Sequence, residues 1–221
     1  MSENFAQLAS GIVSLAKDLH SRGWLLGTSG NLSAVVERDP IRLAITPSGA
    51  DKGELLSEQI LLIDEEADVV GNAGSIAGKP SDESRLHVAL VKAQNPGAVV
   101  HTHSVWVTIL SDLYGDDGGL ALEGYEMLKG LGGVTTHLHR EWIPIIENSQ
   151  DMFALAKSIT ETVAKYPESH AIILRRHGLY TWGRDLNEAK RHVEILEFLF
   201  EAVGRTLELR VSTTKRLSDM L

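Results

Sequence analysis

Apolar residues near the start of the chain recur every three or four positions. Phe5, Leu8, Ile12, Leu15 and Leu19 step along one face, which predicts an amphipathic helix over about the first twenty residues, ending near Gly23. Leu32 to Val36, Arg42 to Thr46 and Ile60 to Asp64 are short β-rich runs and read as strands, followed by a loop from Gly71 to Gly78. Leu86, Ala89, Leu90 and Ala93 share a second helical face, with Ser81 and Asp82 as cap candidates and Asn95-Pro96-Gly97 as its stop. Ala98 to His101 is a short apolar strand. Trp142 to Ile146 and Ala171 to Leu174 read the same way, with a helix from Asp151 to Lys165 between them and a long closing helix from Asn187 to about Leu207. Strands and helices interleave with no repeat or linker-like stretch, so the pattern predicts a single α/β domain over residues 1–221, a sheet covered by helices.

Composition narrows the function classes. Hydrophobic residues make up 43% and charged residues 23% of the 221, values of an ordinary globular chain. The net charge of -9 argues against nucleic acid as a partner, because such binding draws on Lys and Arg neutralising phosphates. Local N–H groups and a cation can still hold a small anion. With no cysteine, any metal must sit on His, Asp or Glu. Met1-Ser2-Glu3-Asn4 lacks the basic and apolar segments of a signal peptide, and no run is apolar enough for a membrane span, so the expected location is cytoplasmic.

The histidines carry the candidate chemistry. His101-Thr102-His103 ends a predicted strand, where residues two apart point to the same face. Three neutral imidazoles with an open fourth position make a catalytic zinc site, which polarises a carbonyl or lowers the pKa of water. Arg175-Arg176-His177-Gly178 follows the strand Ala171 to Leu174 and is the best source of a third ligand. A second pair, His137-Leu138-His139, has nearly the same claim from spacing alone. His20, His170 and His192 read as exposed or packing residues, and His87, four residues after Glu83, as half of a solvated helix pair. Two turns rich in glycine and hydroxyls, Gly27-Thr28-Ser29-Gly30-Asn31 and Thr46-Pro47-Ser48-Gly49, can aim donors at a phosphate, although turns use these residues for steric reasons too. Neither has the spacing of a P-loop or a dinucleotide fingerprint.

Taken in order, these segments, with Ser81-Asp82-Glu83 and the final helix, resemble the class II aldolase and adducin-head family over nearly the whole chain. The resemblance implies an α/β/α fold with a central, mainly antiparallel sheet covered by helices on both faces. It implies one Zn2+ per chain on His101, His103 and His177, and phosphate binding by Thr28, Gly30, Asn31, Ser48, Gly49 and Ser81. It also implies a small phosphorylated keto-sugar as substrate and a homotetramer with active sites near subunit interfaces. Gly124-Tyr125-Glu126-Met127-Leu128-Lys129-Gly130, Pro144-Ile145-Ile146-Glu147-Asn148 and Arg175 to Gly183 resemble a dehydratase branch of methionine salvage, in which Glu126 becomes the catalytic acid/base. The aldolases of the family use the glutamate that falls on Glu83, so both glutamates stand as catalytic candidates. An aldolase or epimerase, and a metal-free binding module like the adducin head, are the alternatives; the presence of all three histidines counts against the last.

Overall fold

The computed structural model describes residues 3–74 and 78–218. Helix α1 (Glu3–Ser21) leads into strands β1 (Asn31–Arg38), β2 (Ile41–Ile45), β3 (Leu61–Ile63) and β4 (Val69–Asn72). Then come α2 (Ser84–Gln94), β5 (Ala98–Thr102), α3 (Val105–Leu113), β6 (Gly119–Glu123), β7 (Arg140–Ile146), α4 (Met152–Lys165), β8 (Ala171–Leu174), β9 (Gly178–Gly183) and α5 (Leu186–Ser218). The nine strands form one sheet in the order β4-β3-β2-β1-β5-β9-β8-β7-β6, antiparallel except for the β7–β8 pair. This is the mainly antiparallel sheet expected.

Alternation along the central strands sends side chains to two faces, where they fill three hydrophobic clusters. Val99 of β5, Ile172 and Leu174 of β8, and Tyr180 and Trp182 of β9 pack under α2 and α4. Ala98 and Val100 face α1, while Ala171, Ile173 and Leu179 face α3 and α5. Helices therefore cover both faces, and the central strands are buried on both sides, which is why they read as continuous apolar runs rather than alternating ones.

Several boundaries differ from the sequence reading. Gly71 and Asn72, expected in a loop, belong to edge strand β4; residues 75–77 of that loop, like Met1 and Ser2, lie outside the described residues. Helix α2 starts at Ser84, so neither Ser81 nor Asp82 is its cap; the Ser81 hydroxyl instead accepts the Glu83 N–H at 3.3 Å in the preceding turn. The sequence pattern does not predict helix α3 or strands β6 and β9. In the run Val105–Leu113 apolar residues are spread around the helix, Val107 and Leu110 buried but Val105, Ile109 and Leu113 exposed, so no single apolar face marks a helix there; the Ser104 hydroxyl decides the start by accepting the Val107 N–H at 3.2 Å.

Helix α5 braces the site strand from below. Glu197 is buried, the Thr102 hydroxyl donates to its Oε1 at 3.2 Å, and burial pushes its carboxyl up to about 7, outweighing the bonds from Ser104 and Thr102. Because the folded state holds this proton more tightly than the unfolded chain does, stability falls as pH rises from the ordinary carboxyl value through 7. Glu197→Gln should therefore stabilise the protein by up to roughly 3 kcal/mol at pH 8 and hardly at all at pH 5. Urea unfolding at the two pH values checks it; an equal effect at both would mean the carboxyl does not titrate in this window.

Candidate metal centre and active site

Strand pairing assembles the histidines. Residues His101 and Thr102 of β5 lie opposite Tyr180 and Leu179 of β9, so the end of β5 abuts the turn joining β8 to β9. That turn is three residues long, with Arg176 in the left-handed region (φ 55°) and the His177 N–H bonded to the Leu174 carbonyl at 3.1 Å, which brings His177 back over the sheet end. Gly178 allows the approach: a Cβ there would lie 2.3 Å from the Thr102 carbonyl oxygen and 2.8 Å from the His101 ring. Gly30, at φ +67°, is needed on the other side, where a Cβ would lie 2.6 Å from the His101 carbonyl oxygen.

His101, His103 and His177 each offer a nitrogen, and the three nitrogens lie within 4.8 Å of one another. His101 is fully buried, stacks on Tyr180 with centroids 4.0 Å apart, and donates Nδ1–H to the Leu179 carbonyl at 2.9 Å, which leaves Nε2 as the free lone pair. That Nε2 faces His103 Nε2 at 2.8 Å. Burial pulls both imidazoles toward the neutral form, His101 well below its ordinary value and His103 to about 4. The Nδ1 of His177 faces Asn148 Oδ1 at 3.2 Å. Three converging nitrogens, two rings drawn toward neutral by burial, and the outer nitrogens of His101 and His177 held by the protein are features of a divalent-cation site, and the triad fits one.

Glu83 stands beside the triad, its Oε1 3.1 Å from His177 Nε2 and 3.7 Å from His101 Nε2. Burial opposes its charge, but the bond to His177, the electrostatic pull of the His101 and His177 rings and the bond from Asn31 outweigh it and hold the carboxyl well below the usual range. Asn31, opposite His101 on β1, donates Nδ2–H to Glu83 Oε2 at 2.8 Å and pairs through Oδ1 with His87 Nε2. The other His87 nitrogen faces the Ser33 hydroxyl at 2.8 Å. His87 is thus fully buried, not the solvated partner expected; the Glu83 end of α2 packs inward, and burial lowers the ring to about 4. A chain of bonds from Ser33 through His87 and Asn31 aims Glu83 at the triad. Sequence reasoning misses Tyr180, Asn148 and His87 as site-building residues, and His87's position one turn after Glu83 is the signal that was available.

Hydrogen bonds link the turns that carry the phosphate candidates, two of them through Lys52. Its buried Nζ donates to the Thr28 and Ala50 carbonyls, each at 3.0 Å, tying the turn of Thr28 and Gly30 to the turn of Ser48 and Gly49. The Ser48 N–H reaches the Lys79 carbonyl at 2.8 Å, two residues before Ser81. Asn31 differs from the other five, since both ends of its amide are engaged with Glu83 and His87.

Glu126 is elsewhere. Strand β7 runs from Arg140, opposite Glu123, to Ile146, opposite Leu174, so its length of about 20 Å separates the end where β6 finishes from the triad end. Glu126 lies in a 3-10 turn (Glu126–Gly130) just after β6, its side chain 72% exposed, paired with Lys129 at 2.7 Å and facing His137 at 3.8 Å. His139 bonds Glu141 at 2.7 Å, so the second H-x-H pair faces carboxylates; among the described residues, only the His101 group has the geometry of a metal site.

Residues 10–203 match the Class II Aldolase and Adducin N-terminal domain family. The chain belongs to this family. Two relatives, both methylthioribulose-1-phosphate dehydratases, are close over nearly their whole length. That of Marinobacter nauticus is 39% identical over 93% of this chain and 97% of its own. That of Pectobacterium atrosepticum is 43% identical over 91% and 94%. Among solved structures of the class II aldolase fold, YgbL of Klebsiella pneumoniae superposes with a TM-score of 0.76 at 26% identity, covering 92% of this chain and 91% of YgbL. The L-fuculose-1-phosphate aldolase of Thermus thermophilus gives 0.72 at 24% identity, covering 95% and 98%. The described helices of this class II aldolase family member include none long and apolar enough to cross a membrane.

Proposed function

We propose that this chain is a methylthioribulose-1-phosphate dehydratase of methionine salvage, a cytoplasmic homotetramer that works as one domain per chain and uses one Zn2+ on His101, His103 and His177. The observation that carries the reading is the three-imidazole cluster with Glu83 beside it, in a chain about 40% identical to dehydratases along nearly its full length. A zinc ion in this site supplies Lewis acidity to the substrate ketone.

The chain's own residues do the rest. The turns of Thr28, Gly30, Ser48, Gly49 and Ser81 hold the phosphate with N–H groups and hydroxyls, over the positive charge of Lys52. Asn31 holds Glu83 toward the triad, where the carboxylate lines the reacting centre. The reaction removes the proton beside the ketone and expels the neighbouring hydroxyl as water, so a group must accept one proton and return one; Glu126 is assigned that exchange. It reaches the site from a neighbouring subunit, in line with its exposure and its position at the far end of the sheet. Ser48→Ala should weaken affinity for the substrate and for inorganic phosphate by about tenfold to a hundredfold, the loss of one hydrogen bond to a charged group, with metal content unchanged. Isothermal titration with phosphate checks this, and unaltered binding would move the phosphate away from that turn.

A second reading is kept because Glu83, the residue that the aldolases of the family use, is the carboxylate nearest the triad. In that reading the enzyme splits a carbon–carbon bond of a ketose phosphate. Incubation with methylthioribulose 1-phosphate and mass analysis of the product decides: loss of one water supports the dehydratase, and cleavage to two fragments supports the aldolase.

A further inference from the structure

A cluster of buried ionisable groups lies at the end of the sheet away from the triad, beside a cavity of about 670 Å³ lined by Lys129, Gly132, His170, Arg184, Glu188 and His192 among others. Two imidazoles grip one residue there. The Gly132 N–H donates to His192 Nε2 at 2.9 Å, and the Gly132 carbonyl faces His170 Nε2 at 2.8 Å. The other nitrogens fix the protonation of each ring. His192 Nδ1 faces the Trp182 carbonyl at 2.7 Å, so it carries the proton and Nε2 accepts. His170 Nδ1 lies 3.1 Å from both oxygens of Glu141, so His170 presents donors on both sides and is an imidazolium. Glu141, 1% exposed, also accepts the His170 N–H at 2.8 Å and bonds His139 at 2.7 Å.

Gly132 lies two residues beyond the turn of Glu126 and Lys129, in the long connection between β6 and β7. That connection is closed at its base by the Gly124 N–H on the His137 carbonyl at 3.2 Å, and its turn is seated by Leu128 in the α5 core. The clamp on Gly132 is the polar anchor of its far side. Resting on the assignment of Glu126 to proton transfer, we propose that His192 and His170, with Glu141 behind the latter, are positioning residues that hold the Glu126-bearing segment in its working place.

The chemistry makes the clamp pH-sensitive on one side. A proton on His192 Nε2 would set two donors against each other at Gly132, so acid opens the grip. Burial, with the charges of His170 and Arg191, holds His192 below its ordinary value, against the pull of the Trp182 carbonyl and Glu188. For His170, burial is outweighed by Glu141, by the Gly132 carbonyl and by Glu188, and the ring is held above its ordinary value. The groups facing the pair are Glu141 and His139 at β7, and Glu188 and Arg191 on α5; Glu188 also binds Arg184 at the end of β9. The two rings pack edge to face 5.1 Å apart in these opposite states.

The test compares His192→Phe, which keeps a ring but no acceptor, with His192→Gln, whose amide oxygen can accept the Gly132 N–H without titrating. Expected for His192→Phe is a kcat loss of about 10²-fold, as for a misplaced catalytic group, with KM and metal content unchanged and faster hydrogen exchange over residues 128–134. His192→Gln should recover most of kcat and most of the protection, and its kcat should lose the acid-side fall of the wild type. A near wild-type kcat and unchanged exchange in His192→Phe overturn the proposal. So does a loss that His192→Gln fails to recover, since the ring would then only fill space. Should the wild type form no dehydration product, the functional reading fails; hydrogen exchange still tests the grip on its own.

Discussion

His101→Ala is expected to leave the protein without its divalent cation and to reduce turnover to background. His101 is the most firmly held of the three candidate ligands: fully buried, stacked on Tyr180, and fixed in tautomer by the Leu179 carbonyl. Losing a partner that merely orients a ligand costs ~10- to 100-fold in metal affinity, so losing the ligand itself costs more. His103→Ala and His177→Ala, both at half-buried rings, should do the same with less disturbance of the core. Metal analysis of the purified variants, with thermal unfolding to confirm the fold, is the measurement. His137→Ala and His139→Ala are the controls and should keep a full complement, because those rings face Glu126 and Glu141. If the controls lose metal while His101→Ala and His103→Ala keep it, the metal site has been put at the wrong end of the sheet.

Glu126→Gln is expected to lower turnover by ~10² to 10⁴ while metal content and fold are kept, the loss typical of removing a general acid or base. Gln matches the size and hydrogen bonding of the carboxylate but cannot exchange a proton. Glu83→Gln should be milder in turnover and act on metal or substrate affinity, because the Glu83 carboxylate is committed to His177 and Asn31. The far-end position of Glu126 adds a sharper outcome. Co-assembled from equal amounts of His101→Ala and Glu126→Gln chains, each inactive alone, hybrid oligomers should recover about a quarter of wild-type activity, since random mixing gives that share of sites an intact triad and an intact neighbouring glutamate. Absence of recovery would mean that each chain's Glu126 serves its own triad. A dead Glu83→Gln with a nearly normal Glu126→Gln would move the chemistry to the aldolase pattern.

Local pattern was enough wherever a residue's environment follows from its immediate neighbours. The 3–4 spacing of Phe5, Leu8, Ile12, Leu15 and Leu19 is the face α1 buries, and the Asp151 carboxylate caps α4 by accepting the N–H groups of Phe153 and Ala154 at 3.0 Å. His101 and His103 were legible as a pair because strand geometry alone turns alternate residues to one side. Tertiary structure decided the rest, for three physical reasons. Helix α3 carries apolar residues on its exposed face as well as its buried one, and β9 is buried on both faces, so neither shows a clean one-sided period. His87 shows four residues after Glu83 on a helix, and nothing local says that this face turns inward to Ser33 and Asn31 on β1; only long-range pairing does. The separation of Glu126 from the triad depends on the directions of β6 and β7, and those are set by which strands pair. The sequence by itself determined which side chains are available as ligands, acids and donors. The tertiary structure decided which of them meet, because strand order and register are fixed by burying both faces of the sheet at once, a property of the whole chain rather than of any one segment.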